Sequence, residues 1–374
     1  MKKGLLFVFG AVAFMFIGMS NVYAADIGDA DFASAKTGTP SNGVSYDAGK
    51  YTLAAGDYTF TDSIDISADL DDYIELNGDT TINLNGKTIK GNAIGNTYNT
   101  LINIVNGTVT ISGSGTIDNI YASSKALNQV AGTLSLAGGT YNQPVEIRGT
   151  ATISGGTFTI VNGYNGSNVT ITGGTFNSTL GAAVNLEGAT SLISGGTFTS
   201  TNTPVMINSG TSRVTGGTFT GTGWGGFQAI NVTELKISGG TFAGPIAGLV
   251  IEDSTVILSG GTYRSTGDDP QSCAIVMYGG TTMDALLASG YKYSAGGAYT
   301  EQSGAKIMTA KENSVISESA SGTVSDATGV ETTTTSAIKL KNPNTGDNIL
   351  LYIVLLTISS LSVVITYNKL KKSM

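Results

Sequence analysis

The string ISGGTF occupies residues 153–158, and the same pattern returns as ITGGTF at residues 171–176 and as ISGGTF at residues 193–198. In each copy an apolar residue and one further residue precede Gly-Gly-Thr and an aromatic ring. The remaining copies, the last of them degenerate, are LAGGTY (136–141), VTGGTF (214–219), ISGGTF (237–242), LSGGTY (258–263) and ISGSGTI (111–117). The threonines of successive copies are 17 to 24 residues apart. Self-similarity at such a period is the signature of a repeat architecture.

A second pattern within each repeat is typical of β-strands. Apolar residues alternate with other residues at 169–171 (VTI), just before the glycines, and again in a segment further upstream. The upstream segments are 144–147 (PVEI), 183–186 (AVNL), 204–207 (PVMI) and 229–232 (AINV). Alternation with a period of two indicates a strand with one buried face. One repeat therefore consists of strand, turn, strand, Gly-Gly corner, short strand and variable loop.

Three short strands in one repeat form the coil of a parallel β-helix. We predict an all-β protein, a right-handed parallel β-helix over residues 50–302, in which each coil pairs with the next about 4.8 Å along the axis. Glycine suits the corner because it accepts positive φ without steric cost. Equivalent residues would then stack inside the coils. The expected ladders are an aromatic one (Tyr141, Phe158, Phe176, Phe198, Phe219, Phe242, Tyr263) and an aliphatic one that includes Val145, Val184, Val205 and Ile230.

Other repeat folds fit the spacing less well. Two repeats together approach the length of a β-propeller blade, but the Gly-Gly-Thr-aromatic pattern recurs every half-blade. A leucine-rich repeat would need its own leucine and asparagine pattern. A left-handed hexapeptide helix would need a strict six-residue period, and the sequence has neither.

Two segments upstream of the repeats have the pattern of first coils, residues 51–58 (YTLAAGDY) and 82–89 (INLNGKTI). Both resemble the opening coils of pectate-lyase-like β-helix proteins, and residues 286–293 (LLASGYKY) resemble a closing coil of such proteins. The resemblance implies the fold and carries no information about activity. We expect residues 25–49 to form an N-terminal cap, because an exposed sheet edge invites aggregation.

The N-terminus has the features of a secretory signal peptide over residues 1–24. Two lysines precede an apolar run at residues 5–19, and cleavage between Ala24 and Ala25 fits the small side chains there. The alternative is an uncleaved membrane anchor. The run is short for a hydrocarbon core of about 30 Å, which favours cleavage.

The C-terminus carries a second membrane element. Residues 349–367 contain no charge and are long enough for a transmembrane helix, and three lysines follow in the last six residues. A basic tail stays cytoplasmic, which places the rest of the chain outside. Residues 303–341 are dominated by Ser, Thr, Ala and Gly, and we interpret them as a flexible stalk.

Just before that helix stands the string Asn342-Pro343-Asn344-Thr345-Gly346. A Pro-x-Thr-Gly motif, an apolar helix and a basic tail in this order resemble the cell-wall sorting signal of sortase substrates, here residues 342–374. The resemblance implies that a membrane transpeptidase cleaves after Thr345 and joins it to peptidoglycan. Asn342 stands where the family most often has Leu. The alternative is a plain transmembrane anchor, without attachment to the wall.

Composition narrows the choice of partners. The formal net charge is −8, so an acidic exterior disfavours nucleic acid as a partner. The single cysteine, Cys273, precedes Ala-Ile-Val and is interpreted as a small buried residue, so no intramolecular disulfide forms. We expect no cofactor and no metal ion.

Catalytic residues are sparse. Histidine is absent, so general-base chemistry would depend on carboxylates, lysine or tyrosine. Carboxylates do not recur at one repeat position, and the best local cluster is Asp268 and Asp269 with Arg264. The Ca²⁺-binding nonapeptide repeat needs Asp after its glycines, where every copy here has Thr. We therefore expect a protein that is not an enzyme, although many β-helix proteins cut polysaccharides.

A binding role depends on the loop at residues 220–228 (TGTGWGGFQ). It carries the only tryptophan, Trp224, and Phe227, which are candidate ligand contacts. The alternative for Trp224 is that it covers the side of the core. The sequence thus predicts a cell-wall adhesin or surface-structural protein that binds glycan or a host protein. A surface polysaccharide lyase or glycoside hydrolase, and a passive coat protein, are the alternatives.

Overall fold

The computed structural model describes residues 23–318, which divide into an N-terminal unit ending at Ser200 and a C-terminal unit beginning at Thr201. Residues 1–22 of the predicted signal peptide lie outside the described residues. So do residues 319–341 of the predicted stalk and the whole sorting signal with its apolar helix.

The N-terminal unit holds one helix and 21 strands. They are β1 (Tyr23–Ile27), α1 (Asp29–Lys36), β2 (Val44–Asp47), β3 (Lys50–Leu53), β4 (Gly56–Phe60), β5 (Ile64–Asp65), β6 (Tyr73–Asn77), β7 (Thr80–Asn83), β8 (Lys87–Gly91), β9 (Thr100–Asn106), β10 (Thr108–Ser112), β11 (Gly115–Asn119), β12 (Lys125–Gln129), β13 (Thr133–Tyr141), β14 (Val145–Ile147), β15 (Thr150–Phe158), β16 (Val161–Gly163), β17 (Asn168–Ile171), β18 (Thr175–Ser178), β19 (Val184–Glu187), β20 (Thr190–Ile193) and β21 (Thr197–Ser200).

The C-terminal unit holds 14 strands and one 3₁₀ turn at Asp284–Leu286. The strands are β22 (Val205–Asn208), β23 (Thr211–Val214), β24 (Thr218–Gly221), β25 (Gly225–Ile230), β26 (Glu234–Ile237), β27 (Thr241–Gly244), β28 (Ala247–Glu252), β29 (Val256–Leu258), β30 (Thr262–Ser265), β31 (Cys273–Tyr278), β32 (Tyr291–Tyr293), β33 (Tyr299–Gln302), β34 (Ala305–Met308) and β35 (Glu312–Ser317).

Each unit is a parallel β-solenoid, as the repeat predicted. In the N-terminal unit, parallel pairing runs along three strips: β1-β4-β7-β10-β13-β15-β17-β20, β5-β8-β11-β13-β15-β18-β21 and β3-β6-β9-β12-β14-β16-β19. In the C-terminal unit the strips are β23-β26-β29, β24-β27-β30 and β22-β25-β28-β31. Each coil contributes one strand, or part of one, to each strip.

The two corner glycines of a repeat are required for different reasons. Gly174 has a φ of +99°, in the left-handed region that favours glycine. Gly173 does not, but a Cβ there would lie 2.5 Å from the backbone oxygen of Ser154 on the preceding coil. One glycine therefore makes the turn, and the other lets successive coils approach closely.

The predicted aromatic ladder is present in the N-terminal unit. Tyr141 stacks on Phe158 at a centroid distance of 4.8 Å, Phe158 on Phe176 at 5.0 Å, and Phe176 on Phe198 at 4.6 Å. All four rings are buried. Stacked aromatic pairs add about 0.5–1.5 kcal/mol beyond their area burial, so each pair of the ladder stabilises the contact between two coils.

The C-terminal unit continues the same arrangement. Phe219 stacks on Phe242 at 4.7 Å, and Phe242 on Tyr263 at 5.0 Å. Cys273 is 1% exposed and buried, as predicted, and burial raises the pKa of its thiol to about 12. The thiol is therefore protonated and unreactive at neutral pH.

The aliphatic ladder is only partly as predicted. Val145 and Val184 both align with Val161 in the N-terminal unit. In the C-terminal unit, Ile230 aligns with Asn208 and does not stack on Val205. The segment at 229–232 was therefore aligned wrongly, because the strand begins at residue 225 and lies further upstream than the apolar pattern suggested.

A helix lies in the predicted cap region. Phe32 of α1 is buried and its ring lies 5.0 Å from that of Tyr51 on β3. β2 pairs antiparallel with β3 at the edge of the third strip. The predicted cleavage site lies within β1, where Ala24 pairs with Asp57 and Ala25 with Tyr58. Cleavage would shorten β1 and remains a prediction.

The boundary predicted between solenoid and stalk at residue 303 is wrong. β34 pairs antiparallel with β31 and with β33, and β35 pairs antiparallel with β30 and β32. These antiparallel strands close two strips of the C-terminal unit at edges that further parallel coils would otherwise extend. Any stalk therefore begins after Glu318. In the proposed closing segment, Leu287 forms a parallel bridge with Leu258.

Two buried tyrosines of the ladders allow a test of the packing. The Tyr141 hydroxyl is buried and has no hydrogen-bond partner among residues 23–318, whereas the Tyr263 hydroxyl donates to the backbone oxygen of Gly260 at 2.9 Å. Tyr141→Phe should raise the free energy of unfolding by about 1 kcal/mol, and Tyr263→Phe should lower it by about 1 kcal/mol. Thermal unfolding followed by circular dichroism measures both. An equal loss of stability in the two variants would contradict the predicted burial of an unpaired hydroxyl.

Candidate binding pocket

The outer face of the third strip becomes apolar in the C-terminal unit. One outward row there runs Met206, Gln228, Val250, Val276 and Ile307, and the next runs Asn208, Ile230, Glu252, Tyr278 and Ala305. Ile275 and Met277 alternate with Val276 and Tyr278 and face the core, as the pleat of a strand requires. The end of this strip therefore presents apolar side chains on both faces.

Trp224 and Ile246 form a wall beside these rows. Both residues directly precede a strand of the third strip and lie at equivalent corners of successive coils. The Ile246 N–H donates to the Trp224 backbone oxygen at 3.0 Å, and the Cys273 N–H donates to the Ile246 oxygen at 2.9 Å. These backbone hydrogen bonds thus fix the backbone positions of Trp224 and Ile246 relative to β31.

A pocket lies beside this wall, and polar residues form its rim. Gln302 is the last residue of β33, Ser303 lies in the turn that follows it, and Asp269 and Gln271 come from the loop after β30. Asp269 holds that loop, because its Oδ1 accepts from the Gln271 N–H at 2.7 Å. The pocket floor consists of Val276, Tyr278, Ala305 and Ile307. Together with Gly223, the wall, floor and rim residues surround a cavity of about 270 Å³.

The charge of the described pocket lining is negative only. Asp269 is the only carboxylate among the described residues that line it, and no lysine or arginine lines it. The Trp224 Nε1 is buried and has no hydrogen-bond partner within the described chain.

A second carboxylate lies one strand away from the pocket floor. Glu252 aligns with Tyr278, and its Oε2 is buried without a partner among residues 23–318. Burial, and to a lesser degree the charge of Asp253, raises the pKa of Glu252. Burial and the charge of Glu252 raise the pKa of Tyr278 to about 12, so this phenol stays neutral.

The two candidate ligand contacts have different positions. Trp224 is half-buried and lines the pocket, and its role as a ligand contact remains a prediction. Phe227 was wrongly interpreted as a loop aromatic. It is fully buried and packs edge-on against Phe219 at 5.5 Å and Phe242 at 5.7 Å. A ring without exposed surface cannot touch a ligand.

The acidic cluster predicted around Asp268 is divided between two surfaces. Asp269 lines the pocket, whereas Arg264 lies on β30 and aligns with Ala243 and Glu312. Arg264 is not among the residues that line the pocket.

The largely buried carboxylate of Glu146 in the N-terminal unit has cationic and hydrogen-bonding partners. Glu146 Oε2 lies 2.9 Å from Arg148 Nη2 and 3.3 Å from Lys125 Nζ, and the Tyr164 hydroxyl donates to Oε1 at 3.0 Å. In its row Glu146 aligns with the amides Asn128 and Asn162. These partners hold the carboxylate in an ion-pair network, and we interpret the role of Glu146 as structural.

Sequence reasoning missed the pocket floor. Its signal was present in residues 273–278 (CAIVMY), which lack the alternation of polar and apolar residues found in other repeats. An unbroken apolar strand indicates burial on both faces. Ile246 and Ile307 gave no such signal, because Ile246 precedes β28 at a corner and Ile307 lies in β34, outside the repeat pattern.

No protein-family model, no curated protein and no solved structure matches the chain. The described residues contain no group of side chains suited to hold a metal ion. Within residues 23–318, no helix has the length and apolarity that crossing a membrane requires. The predicted transmembrane helix at 349–367 lies outside this range.

The buried carboxylate of Glu252 predicts a pH-dependent stability. A raised pKa means that the folded state binds the proton more tightly than the unfolded state, so stability falls as pH rises above the ordinary value of 4.5. Glu252→Gln should leave stability unchanged at about pH 3 and raise it at about pH 8. Denaturant unfolding at both pH values measures this. A difference between variant and parent that is independent of pH would contradict the assignment.

Proposed function

We propose that this chain is an exported, wall-attached adhesion protein, a right-handed β-solenoid that binds a surface partner through the pocket at Trp224 without turning it over. The signal peptide at residues 1–24 directs export, and the sorting signal at residues 342–374 joins Thr345 to peptidoglycan. Right-handed coiling follows the general preference of parallel strand connections.

The single observation that carries this proposal is the partly open, largely apolar pocket with an indole wall. Trp224 and Ile246 form one side, and Val276 and Ile307 lie in its lining. Apolar surface left accessible beside polar groups marks binding sites in many proteins. Tryptophan is enriched among residues that dominate binding energy.

The chemistry of the lining favours binding over hydrolysis. Cleavage of a glycosidic bond by acid–base chemistry needs a pair of carboxylates on opposite sides of the bond. In the described pocket Asp269 stands alone, and Tyr278 is a neutral phenol. A single carboxylate can orient a ligand by hydrogen bonds, which is sufficient for recognition.

The only tryptophan of the chain gives a direct test, because all indole emission comes from Trp224. The purified full-length protein in detergent is titrated with a panel of oligosaccharides and of short basic, neutral and acidic peptides. Saturable change of emission with at least one class, without products by mass spectrometry, is the expected result.

Ile246→Ser should weaken this binding about 5–10-fold by removing apolar contact area. Ile257→Ser, on β29 and outside the pocket, is the matched control and should bind as the parent does. Product formation would show an enzyme. Absence of any emission change across the panel would leave a passive coat protein as the better account.

A further inference from the structure

The charge distribution around the pocket identifies the chemistry of its ligand, given the proposed binding function. Asp269 lies at the rim, Asp268 is its exposed neighbour, and Glu252 and Asp253 lie near Tyr278. No cation among the described residues lines the pocket. A ligand with positive charge would therefore meet a complementary potential.

Two lysines lie close in sequence to residues of the lining, and the side chain of each donates to a backbone oxygen. Lys306 donates to the backbone oxygen of Gly280 at 3.2 Å and lies 3.9 Å from Glu301. Lys311 donates to the backbone oxygen of Gly267 at 3.1 Å. Neither is among the residues that line the pocket, so Asp269 has no lysine beside it in the lining.

The lining also requires an apolar part in the ligand. Trp224 and Ile246 are half-buried and expose carbon surface to the cavity, and Val276, Ala305 and Ile307 form its nearly buried floor. A sugar ring would lose the hydration of its hydroxyl groups against these side chains, which costs free energy without compensating hydrogen bonds. An aliphatic stem would bury against them favourably.

The indole and the phenol add a specific attraction for a cation. A cationic group over an aromatic face gains about 0.5–1 kcal/mol at exposed sites and about 2 kcal/mol when it is desolvated. Trp224 and Tyr278 are the two aromatic residues of the lining, and Asp269 shares the cavity with them. An aliphatic stem that ends in a cation describes the side chains of lysine and arginine.

We propose that the pocket at Trp224 binds the lysine or arginine side chain of a protein partner. The stem packs on Ile246 over the floor at Val276 and Ile307, and the cationic end lies between the aromatic residues and Asp269. The partner is thus a protein with a protruding basic residue. A neutral glycan is the competing ligand and is an outcome of the test.

The test uses N-acetylated, C-amidated Gly-Gly-X-Gly-Gly peptides, with X as lysine, norleucine or glutamate, and records Trp224 emission of the full-length protein. Norleucine has the stem of lysine without its ammonium group. The lysine peptide should bind about 10-fold more tightly than the norleucine peptide, which corresponds to about 1.4 kcal/mol. The glutamate peptide should bind more weakly than both.

Asp269→Asn should reduce the preference for lysine over norleucine to about 3-fold or less while leaving the norleucine affinity unchanged. Asp268→Asn removes the same charge from a residue outside the lining and should retain the preference within about 2-fold. Circular dichroism confirms that both variants are folded.

Equal binding of lysine and norleucine peptides by the parent would overturn the cationic ligand while leaving the binding function intact. Saturable binding of neutral oligosaccharides with no response to any peptide would do the same and would assign the pocket to glycan. No response to any peptide or oligosaccharide would overturn the binding function itself.

Discussion

The backbone hydrogen bonds between successive coils are the constraint on which the rest of the structure depends. They hold equivalent residues in register at a separation of about 4.8 Å. The aromatic ladder forms because the threonine before each ring aligns with the equivalent threonine on the next coil, as Thr157 does with Thr140 and with Thr175. The rings that stack in this way are Tyr141, Phe158, Phe176 and Phe198. The inward rows are then largely apolar columns, and the outward rows are columns whose chemistry can vary without disturbing the core.

The candidate pocket arises where an outward row departs from its usual polar composition. In the N-terminal unit the corresponding row carries Asn103, Asn128 and Glu146, whose side chains are paired within a polar network. In the C-terminal unit the row contains Val276, and antiparallel pairing with β34 adds Ile307 beside it. The last coil and the closing strands therefore make a surface that the regular repeats do not have, and the single tryptophan lies at its side.

The sequence was sufficient to predict the regular coils, but not the segments that depart from the repeat. The aromatic ladder followed from spacing, because each Gly-Gly-Thr fixes the register of the ring behind it. The burial of Phe227 was not predicted, because its segment lacks the Gly-Gly-Thr pattern. Its burial depends on contacts with Phe219 and Phe242 from neighbouring strands. β34 and β35 were taken for stalk because antiparallel closing strands do not repeat. The pocket depended on which loops meet over β31, and local patterns do not encode that.

Disulfide formation between designed cysteines tests the register most directly. Thr157 and Thr175 are exposed and aligned on neighbouring coils, so their Cα separation of about 4.8 Å suits a disulfide. Thr197 aligns with Thr175 and lies one coil further, at about 9.6 Å from Thr157. Under mild oxidation the Thr157→Cys/Thr175→Cys protein should form an intramolecular disulfide, and the Thr157→Cys/Thr197→Cys protein should not. The opposite result would contradict the stacking of successive repeats.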